Sequence, residues 1–106
     1  MSDPMTVTHR PDAHRFEAVI DGHHSLCDYE LVGGRMIFTH TEVPAVLRGR
    51  GIAEALVRTA LAYARIENYR VVPACSYVAR FIERHGEYHD LLASSPSEGS
   101  GSALVI

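Results

Sequence analysis

The stretch VLRGRGIAEAL, Val46 to Leu56, sets two glycines and two arginines directly before an apolar-periodic run. Glycine inside a helix costs roughly 0.5–1 kcal/mol relative to alanine, so Gly49 and Gly51 belong to the turn that starts a helix. Downstream, Ala53, Leu56, Val57, Ala60 and Ala64 recur at helical spacing, while Glu54, Arg58 and Arg65 fall on the opposite side. The spacing predicts an amphipathic helix from about Gly51 to Glu67, with Asn68 as its stop signal.

Working outward, the helix is flanked by two β-rich runs, RMIFTHTEV (Arg35–Val43) before it and RVVPAC (Arg70–Cys75) after it. Strand, helix and strand make a βαβ unit, for which parallel strands and a right-handed crossover are expected. Pro73 removes a backbone donor, so the later strand is expected to splay or to lie at an edge. Upstream, RFEAVI (Arg15–Ile20) and SLCDYELV (Ser25–Val32) precede the Gly33-Gly34 turn, giving an antiparallel meander. Downstream, SYVARFIERH (Ser76–His85) has helical spacing through Val78, Phe81, Ile82 and His85 and ends near Gly86. The predicted order is βββαβα, an α/β (α+β) fold with a mixed sheet.

The chain has 106 residues, 46% of them hydrophobic, enough for the core of one small domain. Residues 1–12 read as a flexible leader, 13–93 as the single folded domain, and 94–106 as a flexible Ser/Gly-rich tail ending in the apolar Ala103–Ile106. A net charge of -3 argues against a protein that neutralises many phosphates along a nucleic acid. No run approaches a membrane span or a signal-peptide core. Cys27 and Cys75 form neither a disulfide framework nor a CxxC knuckle and are expected to be reduced thiols. A cytoplasmic protein, with no nucleic-acid or membrane partner and no metal, is the expectation.

A helix N-terminus presents unpartnered N–H groups and the positive end of a dipole. Arg48-Gly49-Arg50-Gly51-Ile52-Ala53 therefore reads as an anion cradle, with guanidinium groups as charged donors. Its place between a strand and the helix of a βαβ unit favours a phosphate ligand over a plain flexible loop. It lacks the Gly-Lys-Ser/Thr of a Walker loop and the third glycine of the dinucleotide fingerprint.

The pattern Arg48-x-x-Gly51-x-Ala53 resembles the Gln/Arg-x-x-Gly-x-Gly/Ala signature of the GNAT superfamily of N-acetyltransferases. FTHTEVPAVLRGRGIAEALV and VVPACSYVARFIERHGEY are similar to its small, YjdJ-type members, and the likeness runs from Phe16 to Leu92. The resemblance implies a GNAT-like sheet with a splayed strand pair beside acetyl-CoA, used as co-substrate. It also implies a diphosphate wrapped by amides from about Arg48 to Ala53, and Val43 pairing its backbone with pantetheine.

In many of these enzymes a tyrosine on the last helix protonates the departing thiolate; the resemblance puts Ile82 there, which cannot donate a proton. It puts Cys75 where relatives carry asparagine, beside the thioester, as nucleophile, acid or packing residue. In the small members this cysteine and the histidine of the third run are the candidates for catalysis. His40 and Glu42 alternate with Thr39 and Thr41, so they share one face of the strand, roughly 6–7 Å apart along it, suited to a base near an incoming amine or to a plain hydrogen bond. Cys27 reads as filler, and His23, His24, His85 and His89 as surface residues. Tyr77 and Tyr88 are core or pocket-lining residues that spacing does not separate.

Few residues precede the first predicted strand, which implies a shallow acceptor groove or completion of the site by a second subunit, in a monomer or a homodimer. Glu42 and the mild acidity favour a basic acceptor: a protein or peptide amine, or a polyamine. The competing reading is a CoA-binding module without turnover, regulatory or thiol-sensing.

Overall fold

A computed structural model describes residues 6–93; the first five residues of the expected leader and the expected flexible tail 94–106 lie outside the described residues. Its sheet has the order β1-β2-β3-β4-β5. Strands β1 (Thr8–Arg10), β2 (Arg15–Ile20), β3 (His23–Val32) and β4 (Arg35–Glu42) form an antiparallel meander. Helix α1 (Ile52–Ile66) then crosses to β5 (Arg70–Pro73), which pairs parallel to β4. Helix α2 (Ser76–Arg84) and a 3-10 segment, Gly86–Leu91, follow, after which Leu92 bridges Val71 of β5.

The mixed α+β architecture is the expected one, with one strand more than the sequence patterning indicates. Thr8–Arg10, within the segment read as a leader, pairs with Glu17–Arg15 at the sheet edge. Three residues are too few to show a period of two. Side-chain packing holds this strand: the His9 ring stacks on Phe16 at 4.1 Å between centroids and lies 4.4 Å from Tyr63. His9 Nε2 also shares a hydrogen bond with the Tyr29 hydroxyl.

Burial holds the His9 pKa below its ordinary value of 6.5, so the native state resists a proton that the unfolded chain accepts. The stability owed to neutral His9 is complete above 6.5 and is lost as the pH falls from there through the folded-state value. Urea midpoints measured from neutral to mildly acidic pH should fall more steeply for the natural protein than for His9→Gln. Parallel profiles would show that His9 is not the group responsible.

Helix α1 buries Ile52, Leu56, Val57, Ala60, Leu61 and Ala64. These join Phe16, Cys27, Met36 and Phe38 of the sheet and Val78, Phe81 and Ile82 of α2 in one core. Full burial of a side chain such as Leu56 contributes about 1.5–3 kcal/mol. The helix stops where the sequence says: Asn68 is left-handed (φ 62°), and the Tyr69 N–H donates to Ala64 O at 2.9 Å.

Two irregularities position the site. The β4–β5 ladder ends at Phe38↔Pro73, and the Cys75 N–H donates to Phe38 O at 2.7 Å as the chain turns into α2. Strand β4 runs on to Glu42, so its edge beyond Phe38 has no β5 partner and the two strands part. The second irregularity is a bulge: Asp28 pairs with His40 while Tyr29 pairs with Phe38, leaving Thr39 as the extra residue. Met36 and Phe38 face the core before it, and Thr41 takes the inward side after it.

Candidate active site

The β4–α1 connection is built by burial of Leu47. Pro44 is extended, Ala45–Leu47 make one 3-10 turn, and Leu47 anchors it in the core. Arg48 is extended, then Gly49 and Gly51 adopt φ of +86° and +75°, a region that other residues enter at a cost. A Cβ at either glycine would meet nothing within 4 Å. Gly51 is the N-cap of α1 and supplies no side-chain cap. The first helical bond runs from the Ala55 N–H to Gly51 O, and among the described residues no acceptor takes the amides of Gly49 through Glu54. The Arg48 amide, counted in the cradle from the sequence, is instead spent on Ala45 O at 3.2 Å.

These amides open onto a concavity of about 230 Å³, with Val43, Arg48, Gly49, Gly51 and Ala53 on one side and Tyr77 of α2 on the other. Arg48 Nε donates to Val43 O at 3.2 Å, which keeps the guanidinium at the mouth. Glu54 also lines it, but its carboxylate accepts from Arg58 Nε at 2.9 Å, which draws that charge along the helix. Arg50 reaches Asp21 in the β2–β3 turn at 3.4 Å and does not line the concavity. Ile52 offers its amide only, because its side chain is in the core.

Where β4 and β5 part, Cys75 is the half-buried N-cap of α2, its Sγ 3.4 Å from the Thr41 hydroxyl. Thr41 also lies 3.8 Å from Sγ of the buried Cys27. His40 and Glu42 do share a face, and His40 Nε2 donates to Glu42 Oε1 at 3.1 Å, with side chains 57% and 61% exposed. That face is opposite to Thr41, so the bulge separates the pair from Cys75 by the width of a strand. Thr41, passed over in the sequence, is the β4 side chain that touches the cysteine.

Ile82 is buried in the core. Tyr77, on the first turn of α2 and 39% exposed, is the tyrosine of that helix that reaches the concavity. Burial first, and then Glu54, push its phenol pKa upward, so at neutral pH it remains an O–H donor. His85 Nδ1 and His89 Nε2 donate to Phe81 O and Ile82 O at 2.7 and 3.0 Å, capping α2. Among the described residues no group of three His, Cys, Asp or Glu could hold a metal ion. Nor is any described helix long and apolar enough to cross a membrane.

The family model for GCN5-related N-acetyl-transferases matches residues 15–91. Protein NATD1 of Bos taurus is 35% identical over 85 residues, covering 77% of this chain and 75% of that protein. Protein NATD1 of Homo sapiens is 33% identical over 85 residues, with 77% and 75% covered. The solution structure of a GCN5-like protein from Staphylococcus aureus superposes with a TM-score of 0.68 at 20% identity, over 85% of this chain and 89% of that one. That last likeness is one of fold.

Proposed function

Because the chain belongs to the GCN5-related N-acetyltransferase family, we propose that it transfers the acetyl group of acetyl-CoA to an amine. The observation that carries the reading is the row of unpartnered amides from Gly49 to Glu54 at the start of α1, beside the open edge of β4. A diphosphate fits these donors, with Arg48 adding charge. The β4 edge beyond Phe38 offers backbone groups to the extended, amide-containing pantetheine arm, as an edge strand offers them to a new strand, and at Val43, whose carbonyl already accepts from Arg48 Nε, the amide is the group on offer. That course leads the thioester into the parting of β4 and β5, next to Cys75.

Acetyl transfer needs a neutral amine, stabilisation of the tetrahedral oxyanion and a proton for the departing thiolate. In this reading His40, oriented by Glu42 on the outer side of β4, receives the amine's proton by way of water. Cys75 supplies the proton on the inner side, and the Tyr77 hydroxyl stands in the concavity as a further O–H donor. The exposed Glu42 favours a basic acceptor, a lysine-bearing protein or peptide or a polyamine. The second reading, a CoA-binding regulatory or thiol-sensing module, draws on one observation, the buried Ile82 at the position of the usual acid.

Equilibrium dialysis with acetyl-CoA, followed by chromatography of released CoA over a panel of amines, separates the readings. Binding, with release stimulated by at least one amine, is the expected result. Binding without release for any acceptor would favour the module, and absence of binding would overturn both.

A further inference from the structure

Resting on the assignment of Cys75 to the thioester, we infer that Thr41 is the positioning residue for Cys75, its hydroxyl holding the thiol at rest and turning to donate to the sulfur once the thiol has given up its proton. The bulge at Asp28/Tyr29 is what brings the two together, since without the extra Thr39 the alternation of β4 would turn His40 inward and Thr41 out. Cys27, the cross-strand partner of Thr41, completes the arrangement. One hydroxyl stands 3.8 Å from a buried sulfur and 3.4 Å from a half-buried one at the mouth.

A threonine hydroxyl has one hydrogen to give and two lone pairs to receive. With its hydrogen directed to Cys27 Sγ, it accepts from the Cys75 S–H. Burial pushes the Cys27 thiol up to about 12, so Cys27 stays a neutral thiol and does not compete for a proton at neutral pH. When Cys75 protonates the departing CoA thiolate, the Cys75 S–H bond breaks and a CoA S–H bond forms. The negative charge moves to Cys75 Sγ. The Thr41 hydrogen then swings from Cys27 to Cys75, where a charged acceptor makes the stronger bond. The proton that the amine nitrogen sheds on becoming an amide passes by way of water through His40 and back to Cys75, so the cycle closes with no other reagent.

Two measurements on the free protein test this without acetyl-CoA. In Thr41→Val, which keeps the side-chain shape, the infrared S–H stretch of Cys75, assigned by its loss in Cys75→Ser, should move to higher frequency. Alkylation of Cys75 by iodoacetamide at mildly alkaline pH, read by mass spectrometry, should slow roughly three- to tenfold, the loss of one ordinary net hydrogen bond. Thr41→Ser should restore both. Should the valine variant not fold, Thr41→Ala is read in the same two ways. A band and a rate unchanged from the natural protein, or a serine variant that behaves like valine, would overturn the inference. Because neither measurement uses the co-substrate, a protein that never releases CoA would sink the proposed activity and leave this coupling to stand or fall by itself.

Discussion

Gly51→Asn is expected to weaken acetyl-CoA binding at least tenfold, about 1.4 kcal/mol, in a protein that still folds. Gly51 has φ +75°, and a Cβ there projects into open space in front of the unpartnered amides of α1. Asparagine is one of the few residues that enter the left-handed region readily, so the variant avoids most of the strain that valine would add. Its side chain would occupy the space of a diphosphate, and its carbonyl oxygen would offer the freed N–H groups an acceptor of their own. Calorimetry with acetyl-CoA and with acetyl-pantetheine, which lacks the diphosphate, separates this from a general loss of structure. Only the first ligand should lose affinity. Equal affinity for acetyl-CoA before and after the substitution would remove the phosphate assignment from this turn.

The parts of the molecule that depend on local chemistry were open to reading from the sequence. The glycine turn, the start and stop of α1, the Gly33-Gly34 hairpin and the edge position of β5 each follow from a residue's own conformational preference. What stayed hidden depends on residues far apart in the chain. Arg50 is drawn from the cradle by Asp21, a partner 29 positions upstream. Strand β1 is held by aromatic contacts of His9 with Phe16 and Tyr63, which no short window contains. The bulge is the most consequential case. The polar stretch Thr39-His40-Thr41-Glu42 reads equally well in either phase, because no apolar residue marks its inner side. The pairing with β3 decides that Thr41, and not His40, faces Cys75.

The larger expected effect falls on turnover in Cys75→Ala, a drop of roughly a hundredfold or more, the scale on which a positioned acid contributes. The two chemical roles of this sulfur differ in what they leave behind. A nucleophile would carry the acetyl group, so incubation with acetyl-CoA and no acceptor would leave one acetyl on the protein, found at Cys75 by mass spectrometry, and Cys75→Ser would be nearly as impaired as alanine. An acid carries no label, and serine keeps part of the rate because its hydroxyl still donates. The acid is the expected outcome: direct attack by the amine is what the resemblance implies, and the Thr41 hydroxyl stands 3.4 Å from the sulfur, ready to donate to it once its proton has gone. Serine at this position would keep that partner, whereas alanine would leave the Thr41 hydroxyl with Cys27 alone, 3.8 Å away. A Cys75→Ala enzyme that turns over like the natural one at every pH would end both roles and leave the residue as the packed N-cap of α2.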